Sequence, residues 1–144
     1  MKRFLCILLT LCVLMTATLP TYAISANSLS AELSSAQITP MFTYIALLGV
    51  GLNINSNGLA ACGGTAIIYN TLYTCSMTMK LQRYTSSWTT IQTWTFSGDD
   101  TLDVTEYYYV TSGYDYRVVI TVKVYNQNGT LLETQTATSA TRSY

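Results

Sequence analysis

The chain has 144 residues and carries 7 Lys and Arg against 7 Asp and Glu, so its formal net charge is zero. Hydrophobic residues make up 49% of the sequence and charged residues 10%, which is typical of one folded domain. The absence of histidine excludes Ser-His-Asp and Cys-His catalysis and zinc sites with histidine ligands. No basic run lies outside Lys2 and Arg3, so nothing supplies the counterion release that drives nucleic-acid binding, and no nucleic-acid partner is predicted.

The first 23 residues have the pattern of an export signal. Lys2 and Arg3 precede an apolar stretch, and Thr21 and Ala23 place small residues before a cleavage site. The apolar stretch covers 4–19 and is shorter than the ~20 residues of a spanning helix, which argues against a retained membrane anchor. We therefore predict a signal peptide at 1–23 and a secreted protein with no membrane span after signal removal.

The predicted domain boundary lies at residue 40. Residues 24–40 are rich in Ser and Ala, show little apolar periodicity and end at Pro40. They are interpreted as a flexible leader, and residues 41–144 as the folded domain.

Two of the four cysteines remain after signal removal, Cys62 and Cys75. Exported proteins retain disulfides, and two cysteines permit one connectivity, so the sequence predicts a Cys62–Cys75 disulfide. Two buried free thiols are the alternative. A redox role is not expected, because no positive residue lies near either cysteine in sequence to lower the thiol pKa.

From residue 41 onward apolar and polar residues alternate with a period of two, and turn signals recur at intervals of about 10 to 14 residues. This pattern predicts an all-β fold. The glycine pair Gly63 and Gly64 is expected to kink the second strand. Glu106 interrupts the apolar face of the fifth strand. The seven predicted strands cover 42–54, 59–69, 74–84, 88–96, 102–110, 114–125 and 130–138.

The segment from Val110 to Ile120, VTSGYDYRVVI, resembles the tyrosine corner of immunoglobulin-like and fibronectin type III domains. Gly113 stands three residues before Tyr116, and aliphatic residues alternate after it. The resemblance implies a seven-stranded immunoglobulin-like antiparallel β-sandwich in which the Tyr116 hydroxyl bonds to backbone upstream of it. One departure is Ser112, where fibronectin type III domains often have proline.

The same resemblance places the cysteines on the second and third strands, which belong to opposite sheets, and not where antibody domains have their disulfide. The sequence is also similar, in its Thr- and Tyr-rich polar faces, to small exported proteins of Gram-positive bacteria with no assigned role. Because such sandwiches host many unrelated functions, the resemblance implies no activity.

Aromatic residues form the candidate binding surface. Exposed rings stack on sugar rings or on partner side chains, and Trp88, Trp94, Tyr107 and Tyr109 lie on or beside the middle strands. Tyr107 and Tyr109 are expected to face water. Trp88, Trp94 and Phe96 are all at even-numbered positions of one predicted strand and would therefore lie on the same face. At least one tryptophan is expected to pack in the core.

The acidic residues offer two weaker options. Asp99, Asp100 and Asp103 could supply oxygens to Ca²⁺, but a solvated acidic turn is the preferred interpretation, and no metal or cofactor is predicted. A carboxylate pair for hydrolysis would combine Glu106 with Glu133 or Asp115.

The sequence therefore predicts a secreted, non-enzymatic β-sandwich module with a binding or structural role. The alternatives are a carbohydrate-binding module that uses the exposed aromatics and a small carboxylate-dependent hydrolase. The expected partner is a protein or glycan at the cell surface. The expected oligomeric state is a monomer or a weak homo-oligomer, with exchange of the apolar strand 42–54 as one route to the latter.

Overall fold

The computed structural model describes residues 42–144, in which every regular element is a β-strand. The predicted signal peptide at 1–23 and leader at 24–40 lie outside the described residues. Within 42–144, no helix has the length and apolarity that crossing a membrane requires. The strands are β1 (Ile45–Ile54), β2 (Leu59–Ile68), β3 (Thr74–Tyr84), β4 (Trp88–Gly98), β5 (Thr101–Tyr109), β6 (Asp115–Tyr125), β7 (Leu131–Thr138) and β8 (Arg142–Ser143).

The strands form two antiparallel sheets. The three-stranded sheet has the order β1-β2-β5, and the five-stranded sheet has the order β4-β3-β6-β7 with β8 paired to β6. Gly64 of the first sheet lies against Met77, Met79 and Ile120 of the second, so the sheets pack face to face. The all-β prediction is confirmed. The short β8 was not predicted.

The core consists of every second residue on the facing sides of the strands, as the side-chain alternation of a strand requires. The inward-facing apolar residues of β3 and β6 are all buried, with at most 2% exposure, and this agrees with the alternation in the sequence. Burial of each large aliphatic side chain contributes about 1.5–3 kcal/mol. The buried inward-facing residues of β3 and β6 are Cys75, Met77, Met79, Leu81, Tyr116, Val118, Ile120, Val122 and Val124.

A register shift changes the face assignments at the start of β1. The pairing of β1 with β2 is irregular between Ile45 and Leu47. As a result, Ile45 and Leu48 are both buried, whereas Ala46 is exposed. The alternation predicts Ala46 and not Ile45 on the core face, and this is wrong because a register shift has no signature in a period-two pattern. Phe42 and Tyr44 pack against the core, and the alternation holds from Leu48 to the end of the strand.

A second shift separates the two tryptophans. The pairing of β3 with β4 shifts between Leu81 and Gln82, which leaves Ile91 as an extra residue on β4. Trp88 and Trp94 therefore lie on opposite faces of the sheet despite their equal parity. Trp94 packs against the core, as expected for at least one of the two, and Trp88 lies on the outer face.

Gly64 permits the close approach of the two sheets. A Cβ at this position would lie 2.8 Å from Met77 Sδ and 2.9 Å from Met79 Cε. The predicted kink at Gly63 and Gly64 is wrong, since β2 pairs with β5 without interruption from Leu59 to Ile67. The glycine leaves room for the methionine side chains of the opposite sheet.

Replacing Gly64 with valine is expected to lower the free energy of unfolding by about 1–3 kcal/mol through overpacking. The matched control is Gly49→Val, because a Cβ at Gly49 meets only Thr65 Cβ, at 3.6 Å. That control is expected to change stability by about 0.5 kcal/mol or less. Urea denaturation measures both variants, and equal losses would contradict the account of the sheet contact.

A buried tyrosine anchors the segment that crosses from β5 to β6. The Tyr116 hydroxyl donates a 2.6 Å hydrogen bond to the Thr111 carbonyl oxygen, and Tyr116 is 0% exposed. Burial raises the pKa of Tyr116, although its bond to Thr111 acts in the opposite direction. Gly113 has a φ of 88°, a left-handed conformation that favours glycine and turns the chain into β6.

Replacing Tyr116 with phenylalanine removes this hydroxyl and leaves the Thr111 carbonyl without its donor. We expect the free energy of unfolding to fall by about 1–3 kcal/mol. Tyr109→Phe makes the same chemical change at a side chain that is 68% exposed and should be near neutral. Thermal and urea unfolding of the two variants test the expectation, which fails if Tyr116→Phe is also near neutral.

Candidate functional site

The structure does not bring the four predicted aromatic residues together. Tyr107 and Tyr109 are 62% and 68% exposed and share the outer face of the three-stranded sheet. Trp88 lies on the outer face of the five-stranded sheet, and Trp94 packs against the core. The four rings therefore do not form one continuous surface, because the two sheets present their outer faces in opposite directions. A binding role for Trp88, Tyr107 and Tyr109 stays a prediction.

A cleft of about 610 Å³ opens at the end of the sandwich where β3 ends and β6 begins. Three tyrosines and one aspartate are its distinctive lining residues. We call it the tyrosine cleft. Its lining residues are Tyr84, Thr85, Gly113, Tyr114, Asp115, Ser143 and Tyr144.

Strand register sets the positions of the polar and aromatic groups in the cleft. Tyr84 pairs with Trp88 on one side and with Asp115 on the other. Asp115 in turn pairs with Ser143 of β8. The Ser143 hydroxyl donates a 2.5 Å hydrogen bond to Asp115 Oδ1. Four neighbouring strands thus place one residue each in a single row at the end of the sheet.

The residue after β8 closes the cleft. The Tyr144 amide donates to the Tyr114 carbonyl, and the Tyr144 carbonyl accepts from the amides of Gly113 and Tyr114. The Tyr144 ring packs over Gly58, which has a φ of 83°. A Cβ at Gly58 would lie 2.9 Å from both the ring and the Val110 carbonyl oxygen. Glycine at this position therefore allows the ring to reach its place.

Two arginines brace the aromatic rings around the cleft. The Arg117 guanidinium lies 4.1 Å from the centre of the Trp88 ring, and its Nε donates to Gln82. The Trp88 ring contacts Tyr84, with 5.2 Å between ring centres. The Arg83 guanidinium lies 4.7 Å from the centre of the Tyr114 ring. These cation–π contacts hold the Trp88 and Tyr114 rings in place beside the cleft.

Sequence reasoning missed most of this site. Tyr114 was assigned to the regular alternation of the sixth strand, although β6 begins one residue later. The two residues of β8 are too short to show a periodicity, and Tyr144 follows them. The signal that was present is Gly113, which marks a turn directly before two of the lining residues.

The carboxylates of the predicted hydrolytic pair lie in separate places. Glu133 pairs with Val124, and its carboxylate accepts from the amide of Tyr44 at 2.7 Å. Asp115 lies nine residues earlier on β6 than Val124, a separation of roughly 30 Å along a strand. Glu133 and Asp115 are therefore too far apart to act together, since glycosidase carboxylates are roughly 5–10 Å apart. Glu106, the member common to both predicted pairs, lies in the other sheet, opposite Cys62.

The acidic residues around the β4–β5 turn do not assemble a metal site. Asp103 Oδ1 accepts a 2.9 Å hydrogen bond from the Thr65 hydroxyl. Among the residues that the structure describes, no group of three His, Cys, Asp or Glu side chains could hold a metal ion.

The structure does not form the predicted disulfide: Cys62 and Cys75 are both free and buried. They lie in opposite sheets, on strands that run past each other in opposite senses. Gly64 of β2 faces Met77 and Met79 of β3. Each cysteine precedes this contact on its own strand. Because the strands run in opposite senses, the cysteines lie toward opposite ends of the sandwich, roughly 13 Å or more apart along the strands. A disulfide needs Cα atoms within about 7 Å.

Sequence comparison identifies no relative from which a role could be transferred. No protein-family model matches the chain, and no curated protein matches its sequence. The function has to be inferred from the residues of this chain.

The state of the cysteines has a measurable consequence. Burial, with a smaller contribution from Glu106, raises the pKa of Cys62 from its ordinary value of 9.0 to about 12. The thiolate is the reactive form, so the native protein without residues 1–23 should not react with a thiol reagent at pH 8. In guanidinium chloride the same protein should show two thiols, Cys62 and Cys75, without prior reduction.

The same pKa shift predicts an alkaline loss of stability. The unfolded Cys62 thiol releases its proton above pH 9, and the folded one only near pH 12, so the free energy of unfolding should fall as the pH rises through this range. Cys62→Ala should show a shallower fall in urea titrations at several pH values. A disulfide in the native protein, seen as no free thiol in denaturant, would contradict both expectations.

Proposed function

We propose that the protein is a secreted, non-enzymatic module of the immunoglobulin-like β-sandwich type that binds a partner at the tyrosine cleft. The observation that carries the binding role is the cleft itself, a concave site lined by Tyr84, Tyr114 and Tyr144 around a carboxylate. Ligand sites are typically concave, with aromatic walls and few polar groups. The export pattern in residues 1–23 supports secretion.

Strand order supports the immunoglobulin-like assignment. The orders β1-β2-β5 and β3-β6-β7 correspond to strands A-B-E and C-F-G of that fold. The bond from Tyr116 to the Thr111 carbonyl lies at the entry to the strand that corresponds to F, where the fold family has its tyrosine corner. One difference from constant-type domains is that β4 pairs with β3 and not with β5.

The rigidity of the cleft supports a binding role. Tyr84 and Tyr114 are 42% and 37% exposed, so each ring offers surface to a ligand. Both rings are already held, Tyr84 by Trp88 and Tyr114 by Arg83. A site that is ordered before binding loses less conformational entropy when a ligand arrives.

The chemistry of the described residues supports a non-enzymatic role. The sequence has no histidine to act as a general base. The cysteine thiols are buried with raised pKa values, which makes them poor nucleophiles. Asp115, the carboxylate of the cleft, lies nine residues along β6 from Val124, the residue that pairs with Glu133.

A second candidate is a carbohydrate-binding role for the outer face of the three-stranded sheet. Tyr107 and Tyr109 are two residues apart on this face, which places their side chains about 7 Å from each other. Rings at such a spacing could contact successive sugars of a polysaccharide. The hollow on this face, about 330 Å³, is smaller than the tyrosine cleft, and neither Tyr107 nor Tyr109 lines it.

Cell-binding assays with matched double variants test the proposed site. The purified domain is mixed with intact cells and insoluble culture material of the producing strain, and the retained fraction is measured. The wild type and Tyr107→Ala/Tyr109→Ala should be retained alike, whereas Tyr84→Ala/Tyr114→Ala should lose about tenfold or more in apparent affinity.

All four side chains are at least 37% exposed, so both double variants should fold, which circular dichroism verifies. Loss of retention in the Tyr107/Tyr109 variant alone would transfer the binding site to the three-stranded sheet. Absence of retention for every form, wild type included, would contradict a binding role at the cell surface.

A further inference from the structure

We infer that the tyrosine cleft binds a neutral sugar. The inference rests on the proposed function, since it takes the cleft as the binding site, and it adds the chemical class of the ligand. The lining of the cleft and the charges directly behind it distinguish among an anion, an organic cation and a neutral polyhydroxyl compound.

An anionic ligand is disfavoured by the lining. The seven lining residues include no lysine or arginine, and the single charged side chain among them is Asp115. Arg83 and Arg117 lie against ring faces, on Tyr114 and Trp88, and do not line the cleft. A phosphate or carboxylate would therefore meet a negative charge without a cation to pair with.

An organic cation is disfavoured by the same two arginines. Tyrosine rings and a carboxylate would otherwise suit a quaternary ammonium group. One face of Tyr114, however, already holds the Arg83 guanidinium at 4.7 Å. Arg117 adds a second positive charge next to the Trp88–Tyr84 pair. The electron-rich faces of two rings at the cleft are therefore already paired with cations, which weakens the cation–π attraction left for an organic cation.

A neutral sugar matches the aromatic rings and hydrogen-bonding groups that line the cleft. The apolar face of a sugar ring stacks on a tyrosine, and its hydroxyl groups need acceptors nearby. Ser143 bonds to Oδ1 of Asp115, and this contact orients the carboxylate while Oδ2 remains available to accept from a sugar hydroxyl. The Thr85 hydroxyl adds a donor and an acceptor at the rim, and the Ser143 oxygen adds an acceptor. The volume of about 610 Å³ lies within the range of small-molecule sites.

Trp88 supplies a direct readout of occupancy. Its ring contacts Tyr84, a lining residue, with 5.2 Å between ring centres. The other tryptophan, Trp94, packs against the core on the opposite face of the sheet. In a Trp94→Phe background, tryptophan fluorescence therefore reports on the wall of the cleft alone.

The experiment titrates this background with glucose, galactose, mannose, xylose and N-acetylglucosamine, and with short β-linked oligomers of glucose, xylose and N-acetylglucosamine. Choline and inorganic phosphate are titrated in parallel. We expect saturable fluorescence changes with at least one neutral sugar and none with choline or phosphate. Isothermal titration calorimetry of the unmodified protein should give the same ranking.

Matched variants connect the signal to the cleft. Tyr114→Ala should raise the Kd for the sugar by about tenfold or more. Asp115→Asn keeps the shape of the side chain and should raise it several-fold, because a neutral amide is a weaker acceptor. Tyr109→Ala, on the other sheet, should leave it unchanged. Tyr84→Ala removes the other exposed ring of the cleft and serves as a second variant should Tyr114→Ala fold poorly; measured by calorimetry, it should also raise the Kd.

Saturation by choline or phosphate, or no saturation by any neutral sugar, would overturn the inference. If cleft-dependent retention on cells persists while no sugar binds, the proposed function stands and the ligand class is wrong. If a sugar binds with the same Kd in Tyr114→Ala, the site lies elsewhere and both proposals fail.

Discussion

The hydrogen bond from Tyr116 to Thr111 fixes the place where the chain passes from one sheet to the other. Thr111 lies just after β5 of the three-stranded sheet, and Tyr116 lies in β6, the central strand of the five-stranded sheet. A buried phenol that donates to a carbonyl in a loop removes the freedom of that loop. Because Tyr114 and Asp115 lie within the anchored segment, the geometry of the tyrosine cleft depends on this bond.

Packing between the sheets sets the second constraint. β2 brings a glycine, Gly64, to the point where the methionines of β3 reach across. A small residue opposite long flexible ones lets two twisted sheets approach without a cavity. The packing also keeps the two cysteines apart, since each lies on a different side of the contact. The thiols therefore contribute as small apolar groups and not as a covalent link between the sheets.

Electrostatics at the cleft follow from the scarcity of charge in the chain. Charged residues make up only 10% of the sequence, and two of the basic ones, Arg83 and Arg117, lie on aromatic rings beside the cleft. Each arginine lies against a ring, and neither is among the lining residues of the cleft. The outcome is an aromatic site with one oriented carboxylate and no lining cation, which is the basis of the inferred preference for a neutral sugar.

The sequence by itself determined the strand pattern, since alternation of apolar and polar residues is a local property that β3 and β6 follow without interruption. It also indicated the Gly113–Tyr116 turn, because a glycine before a buried tyrosine leaves a recognisable spacing. Tertiary structure decided which face each aromatic ring occupies: one extra residue, Ile91, moves Trp88 and Trp94 to opposite sides. It also decided the cleft, whose lining residues come from the end of β3, the entry to β6 and the residues around β8. A local pattern cannot report a register shift or a contact between distant segments, because both are fixed by how the two sheets pair and pack.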